Sequence, residues 1–204
     1  MAVSFTATTV ANPAGAQGSY PLRQTVGQEG QLADLQAYVT RSYRNQSGAA
    51  LPFGVLAMVD NSPTSNDPFA IEIATGATNI VGLIVSSLTF EGTSLGSVYT
   101  PVPTPIYSDG RYGYPDKKSV SILSKGAVWV YTTEAVALGD AVRFWKVDNS
   151  ANVSGAYLGR FAKAASANKT VALTAGARWL TETSAAGLVQ LEIDIPSVTF
   201  AADV

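Results

Sequence analysis

Any catalysis by this chain would have to come from carboxylates. Its 204 residues include neither histidine nor cysteine, which removes the commonest general base and metal ligand together with all thiol chemistry. Asp109, Asp116, Glu134 and Asp140 flank or punctuate the run Tyr114–Trp145, YPDKKSVSILSKGAVWVYTTEAVALGDAVRFW. Two carboxylates facing each other across a cleft, one held protonated, are what glycoside hydrolysis requires. Three of these four stand in turn sequences, SDG, PDKK and LGD, where an aspartate side chain bonds the local backbone. That role accounts for them, so the chain reads as a non-enzyme that needs no cofactor and no metal. Neither GxGxxG nor GxxxxGK[ST] occurs, so no nucleotide fingerprint is present.

The aromatic residues are the next chemical resource. Trp129, Trp145 and Trp179 could stack on sugar rings. Trp129 lies in VWVY, opposite the face of Val128 and Val130, and core packing is expected for two of the three. An exposed tryptophan at a subunit contact is the other reading, since aromatic anchors concentrate interface energy; Trp145 is assigned to it. Tyr99, Tyr107, Tyr112 and Tyr114 are four of the nine tyrosines, and they fall in YTPVPTPIYSDGRYGYPD, residues 99–116. Pro101, Pro103 and Pro105 withhold three backbone donors and favour polyproline II. The segment is either a projecting loop that touches neighbours through amphipathic rings or a long crossover whose tyrosines pad the domain edge.

Charge excludes several partners. There are 13 basic and 15 acidic residues, a net charge of −2, and the longest basic run is Lys117-Lys118. No stripe exists to neutralise phosphates, so no nucleic acid is expected. No apolar run reaches the roughly 20 residues that cross a bilayer, and MAVSFTATTV lacks the features of a signal peptide; no membrane association is expected, and synthesis in a cytoplasm is. Charged residues are only 14% of the chain, against about 25% in ordinary domains. Such a neutral surface suits a protein partly covered by partners.

The elements that position these residues are strands. Residues 1–28 hold one charged side chain, Arg23, and cannot build a core; they read as an extended N-terminal arm. Phe5, Val10, Tyr20, Leu22 and Arg23 are its candidate contacts, docked on a neighbouring subunit or folded back as an edge strand of the same domain. Residues 29–204 form one β-rich domain. Leu32, Leu35 and Val39 have helical spacing, but Ala37 to Arg44 alternates and is read as extended. Strands follow at Phe53–Asp60, Phe69–Ala74 and Ile80–Ser87, the last apolar enough to be buried on both faces. Val120, Ile122, Val128, Val130, Val142 and Phe144 keep a period of two, with Gly126 expected to turn a hairpin and Gly139-Asp140 a second turn. Tyr157–Ala164, Thr170–Thr181 and Leu188–Ile195 complete about ten strands, and Pro196 marks an edge or a break. The pattern predicts an all-β fold, a sandwich or barrel-like body with jelly-roll topology as one option.

Five segments carry a resemblance to a known family: GQLADL (30–35), LPFGVLAMVD (51–60), NIVGLIVSS (79–87), SVSILSKGAVWVYTTEAVALGDAVRFW (119–145) and ARWLTETSAAGLVQLEI (177–193). Together they resemble the head decoration, or structural cement, proteins of tailed bacteriophages. The resemblance implies a virion structural protein without enzymatic activity. It would bind the outer surface of the assembled capsid and clamp neighbouring major capsid subunits, as a homotrimer at three-fold or quasi-three-fold positions. A tail or baseplate β module and a carbohydrate-binding or host-adhesion domain are the alternatives. The arm and the Pro/Tyr loop lie largely outside the five segments.

Overall fold

The computed structural model describes residues 27–33, 38–60, 67–86 and 111–203. In chain order its strands are β1 (Val39–Asn45), β2 (Leu51–Pro52), β3 (Leu56–Val59), β4 (Ala70–Ile73), β5 (Ile80–Ile84), β6 (Gly113–Tyr114), β7 (Ser119–Thr132), β8 (Val142–Trp145), β9 (Phe161–Ala162), β10 (Thr170–Ala175), β11 (Ala177–Trp179), β12 (Gly187–Asp194) and β13 (Thr199–Ala202). A 3-10 turn, Ile195–Ser197, separates the last two. Among the described residues there is no α-helix, in agreement with the all-β expectation.

Five strands close on themselves. β1 pairs in parallel with β4, and β4, β3, β5 and β7 follow antiparallel. β7 then pairs antiparallel with β1, completing a small barrel. Alternation sorts the side chains of these strands between two cores. Val55, Ala57, Ile71, Ile84, Val120 and Ile122 gather with Leu51 and Tyr114 in one cluster. Their sequence neighbours Leu56, Leu83 and Leu123 join the larger cluster, with Val128, Val130, Phe144, Phe161, Val171, Trp179 and Val189. Leu56, Leu83 and Leu123 stand in one register row across β3, β5 and β7, and none is accessible to solvent. Burial on both faces of β5, expected from its apolar run, follows from this division.

The second half of the molecule is an open sheet in the order β11-β12-β7-β9-β8-β10-β13. β7 belongs to both halves. Its 14 residues span about 48 Å at 3.4 Å per residue. One edge carries β5 and then β12; the other carries β1 and ends beside β9.

The hairpin expected at Gly126 does not exist. Lys125 pairs with Val39 on one side and Asp194 on the other, and the β12 register runs on through Gly126 without a break. Gly126 takes φ 136°, and a Cβ there would lie 2.9 Å from that of Tyr38. Glycine thus bends the strand past the start of β1 instead of reversing it. Both flanks of the glycine already have ladder partners, which leaves no room for a return strand. The Gly139-Asp140 turn is present: Ala137 N–H donates to the Asp140 carboxylate at 2.9 Å. That bond, reinforced by Lys163, holds the Asp140 carboxyl below its ordinary value.

Gly82 in β5 is the tightest approach within the barrel, since a Cβ there would sit 2.3 Å from the Leu123 carbonyl oxygen. Gly82→Ala is expected to cost about 1–3 kcal/mol, the usual range for overpacking. Gly76→Ala, where a Cβ meets nothing within 4 Å, should be neutral or slightly stabilising; urea denaturation of the two variants checks the contrast. A second test uses Glu72, whose carboxyl is raised above its ordinary value by burial and then by nearby Asp60. The folded chain therefore keeps this proton to higher pH than the unfolded chain. Its contribution is fully present at low pH and fades as pH rises from the ordinary carboxylate value through the raised one. Glu72→Gln should raise Tm at pH 7–8 and leave it unchanged near pH 4.

Candidate functional site

Residues 27–33 enter the body along the part of the β7 edge that β1 leaves uncovered. Gly30 N–H donates to the Trp129 carbonyl at 2.7 Å, Trp129 N–H to Gln31 at 2.8 Å and Ala33 N–H to Ala127 at 2.9 Å. Leu32 bridges Val128 in the same antiparallel sense. On its other side Gly30 accepts the Ser86 N–H at 2.9 Å. The segment is therefore wedged between the end of β5 and the middle of β7.

Glu29 locks it there. Its carboxylate takes both prongs of the Arg160 guanidinium, Nε to Oε1 at 2.9 Å and Nη2 to Oε2 at 2.7 Å. The side chains are only 8% and 17% exposed, so the pair is bidentate and largely desolvated. The guanidinium also lies over two rings, 4.2 Å from the centre of Tyr131 and 5.2 Å from that of Tyr157. Arg111 covers Tyr157 as well, at 4.1 Å. Tyr131 comes from β7, while Tyr157 and Arg160 come from the connection that leads into β9. Cation and ring attract through the ring quadrupole, more strongly where water is excluded.

This assembly places two long segments at one pole. Residues 1–26 join the body at Gly27, three residues before the Gly30 contact with Ser86. Residues 87–110 leave after Ser86 and return at Arg111, stacked on the ring that also faces Arg160. Beside it Phe53 N–H donates to the Tyr112 carbonyl at 2.9 Å. Residues 1–26 and 87–110, far apart in sequence, therefore join the described body next to each other.

Of the residues assigned to contacts from sequence, Phe5, Val10, Tyr20, Leu22, Arg23, Tyr99 and Tyr107 lie outside the described residues. Tyr112 is half-buried at the pole. Tyr114 and Trp145 are corrected: both are buried in the chain's own packing and present no face to a partner. Tyr114 is 1% exposed, packs edge-on to Phe53 and donates its hydroxyl to the Val85 carbonyl at 2.9 Å. Trp145, 5% exposed, packs with Ala156 and Ala162. Trp179 is buried too, whereas Trp129 is half-buried, as core packing of two tryptophans in three implies.

The carboxylates weighed for catalysis serve the backbone. Asp116 accepts from Gly48 N–H at 3.2 Å, and Glu134 from Lys163 and Ala164 N–H at 2.9 and 2.8 Å; Asp109 lies outside the described residues. Among the described residues no cluster of three or more acidic side chains could hold a metal ion. The Glu29–Arg160 pair escaped sequence reading because its partners are 131 positions apart. The one local signal was an arginine set in the apolar stretch YLGRFA.

A family model described as "Structural cement protein (E217 gp24/Pam3 gp6)" matches residues 16–194. Among solved structures, a chain from "The capsid of Myoviridae Phage XM1" superposes with a TM-score of 0.54 at 15% identity, over 87% of this chain and 96% of that one. At that identity the likeness is one of fold. No curated protein matches.

Removing one member of a desolvated pair strands the other charge. Arg160→Ala is therefore expected to lower stability by about 3–5 kcal/mol. Adding Glu29→Gln to it should recover part of the loss, because the orphaned carboxylate is gone. A double-mutant cycle by chemical denaturation measures the coupling, and strict additivity would show that the pair is not a latch.

Proposed function

The chain belongs to the phage structural cement protein family, and from that premise we propose that it binds the outer surface of the assembled head and clamps neighbouring major capsid subunits. A capsid-associated structural role follows from the family; the clamping, the outer face and self-association as a homotrimer are this proposal's additions. The observation that carries it is the common pole, where two sparsely charged, aromatic-bearing segments are rooted side by side on a latched β body.

The physics of a cement fits that arrangement. A ligand that binds only the assembled lattice stabilises it by mass action. Contacts of modest strength multiply when one body reaches several subunits at once. Segments rooted at one pole can diverge across a subunit boundary while the body stays fixed. Phe5, Val10, Tyr20, Leu22 and Arg23 from the arm, with Tyr99, Tyr107 and Tyr112 from the loop, are assigned to contacts with the capsid or with a neighbouring copy of the chain. Neither catalysis nor a cofactor enters the proposal.

Co-sedimentation with undecorated heads tests it. Phe5→Asp is expected to weaken binding roughly thirtyfold, as loss of an aromatic anchor does, with the circular dichroism spectrum unchanged. Retention of full occupancy by a chain lacking residues 1–26 would refute the grip by the arm. Copy number separates the alternatives: a cement protein is present in hundreds of copies per particle, a tail component in far fewer.

A further inference from the structure

The open sheet ends at β13, and among the described residues no strand pairs with its outer side. The edge is short, uncharged and firmly held. Phe200 packs edge-on against Phe144. Asp203, just beyond the strand, receives Arg143 Nε at 3.3 Å and the Thr170 hydroxyl, so its charge is turned inward. Asp203 N–H also donates to the Thr170 carbonyl. With that pair hydrogen-bonded, alternation along the antiparallel ladder directs the N–H and C=O of Phe200 and Ala202 away from β10. Proteins ordinarily blunt such an edge with charge, a proline or a bulge. Between Thr199 and Ala202 β13 carries neither charge nor proline, and the register shift in its ladder, between Leu173 and Ala175, adds its extra residue to β10 and none to β13.

We infer that this edge is a strand-addition site occupied by the N-terminal arm, residues 3–10, of a second copy of the chain. The sequence VSFTATTV is β-branched and aromatic with apolar Val3, Phe5 and Ala7 alternating against Ser4, Thr6 and Thr8, which suits a pleated partner. No side chain carries charge before Arg23, so the arm matches the neutrality of the edge and meets no like-charge barrier. From Gly27 back to Val10 an extended chain spans roughly 55–60 Å, enough to cross to a neighbour. The outward groups of Phe200 and Ala202 offer about four hydrogen bonds, each worth about 1 kcal/mol net. Such a contact is marginal singly and effective when repeated, because each copy donates one strand and receives another. Donor and acceptor are different surfaces, so the contact is heterologous and propagates around a ring or lattice. The inference rests on the cement reading in one respect: only contacts that pass between copies add grip to a shell.

The native chain has no cysteine, which makes thiol cross-linking clean. Chains carrying Phe5→Cys are mixed with chains carrying Ala201→Cys, on decorated heads and free in solution, and treated with a short bismaleimide. Cross-linked pairs containing one of each chain are expected on the heads. Ala202→Pro, which deletes an outward N–H and spares the bonds to β10, should cut their yield roughly threefold to tenfold, with thermal unfolding confirming the fold. A Phe5→Cys, Ala201→Cys double variant that links only within itself would overturn the inference in favour of an arm folded on its own body. A link from Phe5→Cys to a capsid subunit instead, or no link to β13 at all, would overturn it too. Occupancy of the heads is read separately by co-sedimentation, so failure of strand exchange is distinguishable from failure of the cement reading.

Discussion

One strand, hydrogen-bonded along both edges, holds this molecule together. β7 supplies a wall of the closed barrel with its first half and the centre of the open sheet with its second. Its side chains therefore contribute to two hydrophobic cores, Val120 and Ile122 to one, Leu123, Val128 and Val130 to the other. A strand saturated on both edges cannot slip, because a shift of one residue would turn its apolar face outward in both cores at once. Gly126 sits at the junction and lets the strand bend without breaking the ladder. Everything assigned to function is referred to this spine: the entering segment pairs with it, and Tyr131 projects from it beneath Arg160.

The latch at the pole converts that rigidity into placement. A bidentate ion pair in a desolvated site is weak evidence of net stability, since the charges lose hydration to form it. Its value here is geometric. Glu29 and Arg160 fix where residues 27–33 enter the body, and the rings of Tyr131 and Tyr157 fix where Arg160 can stand. Arg111, stacked on the same tyrosine, ties the return of the second segment to that point. On the proposed clamping role, long segments grip in a defined direction only when their roots do not move.

Most of the fold was legible in the chain. The clean alternation of Leu188 to Ile195, the apolar run of Ile80 to Ser87 and the break at Pro196 read correctly, because each reflects a local rule. What failed was whatever depended on distant residues. Gly126 looks like a hairpin turn in isolation; only the ladders to β1 and β12, some 65 to 85 positions away, make it a bend. Tyr114 looks like part of an exposed tyrosine cluster until Phe53 and the Val85 carbonyl bury it. The latch was hidden for the same reason, since an isolated Glu29 and an isolated Arg160 carry no pattern. The family resemblance, by contrast, was legible in local segments such as LPFGVLAMVD and NIVGLIVSS.

The central claim is that the pole bearing Glu29, Arg111 and Arg160 faces the shell and sends its two segments across a subunit boundary. A cryo-EM reconstruction of the mature particle tests it most directly. The account predicts density for this fold on the outside of the head, with that pole against the major capsid protein and residues 1–26 traceable onto a neighbouring subunit. Density with the pole turned to solvent, or the chain located in the tail and absent from the head, would contradict it.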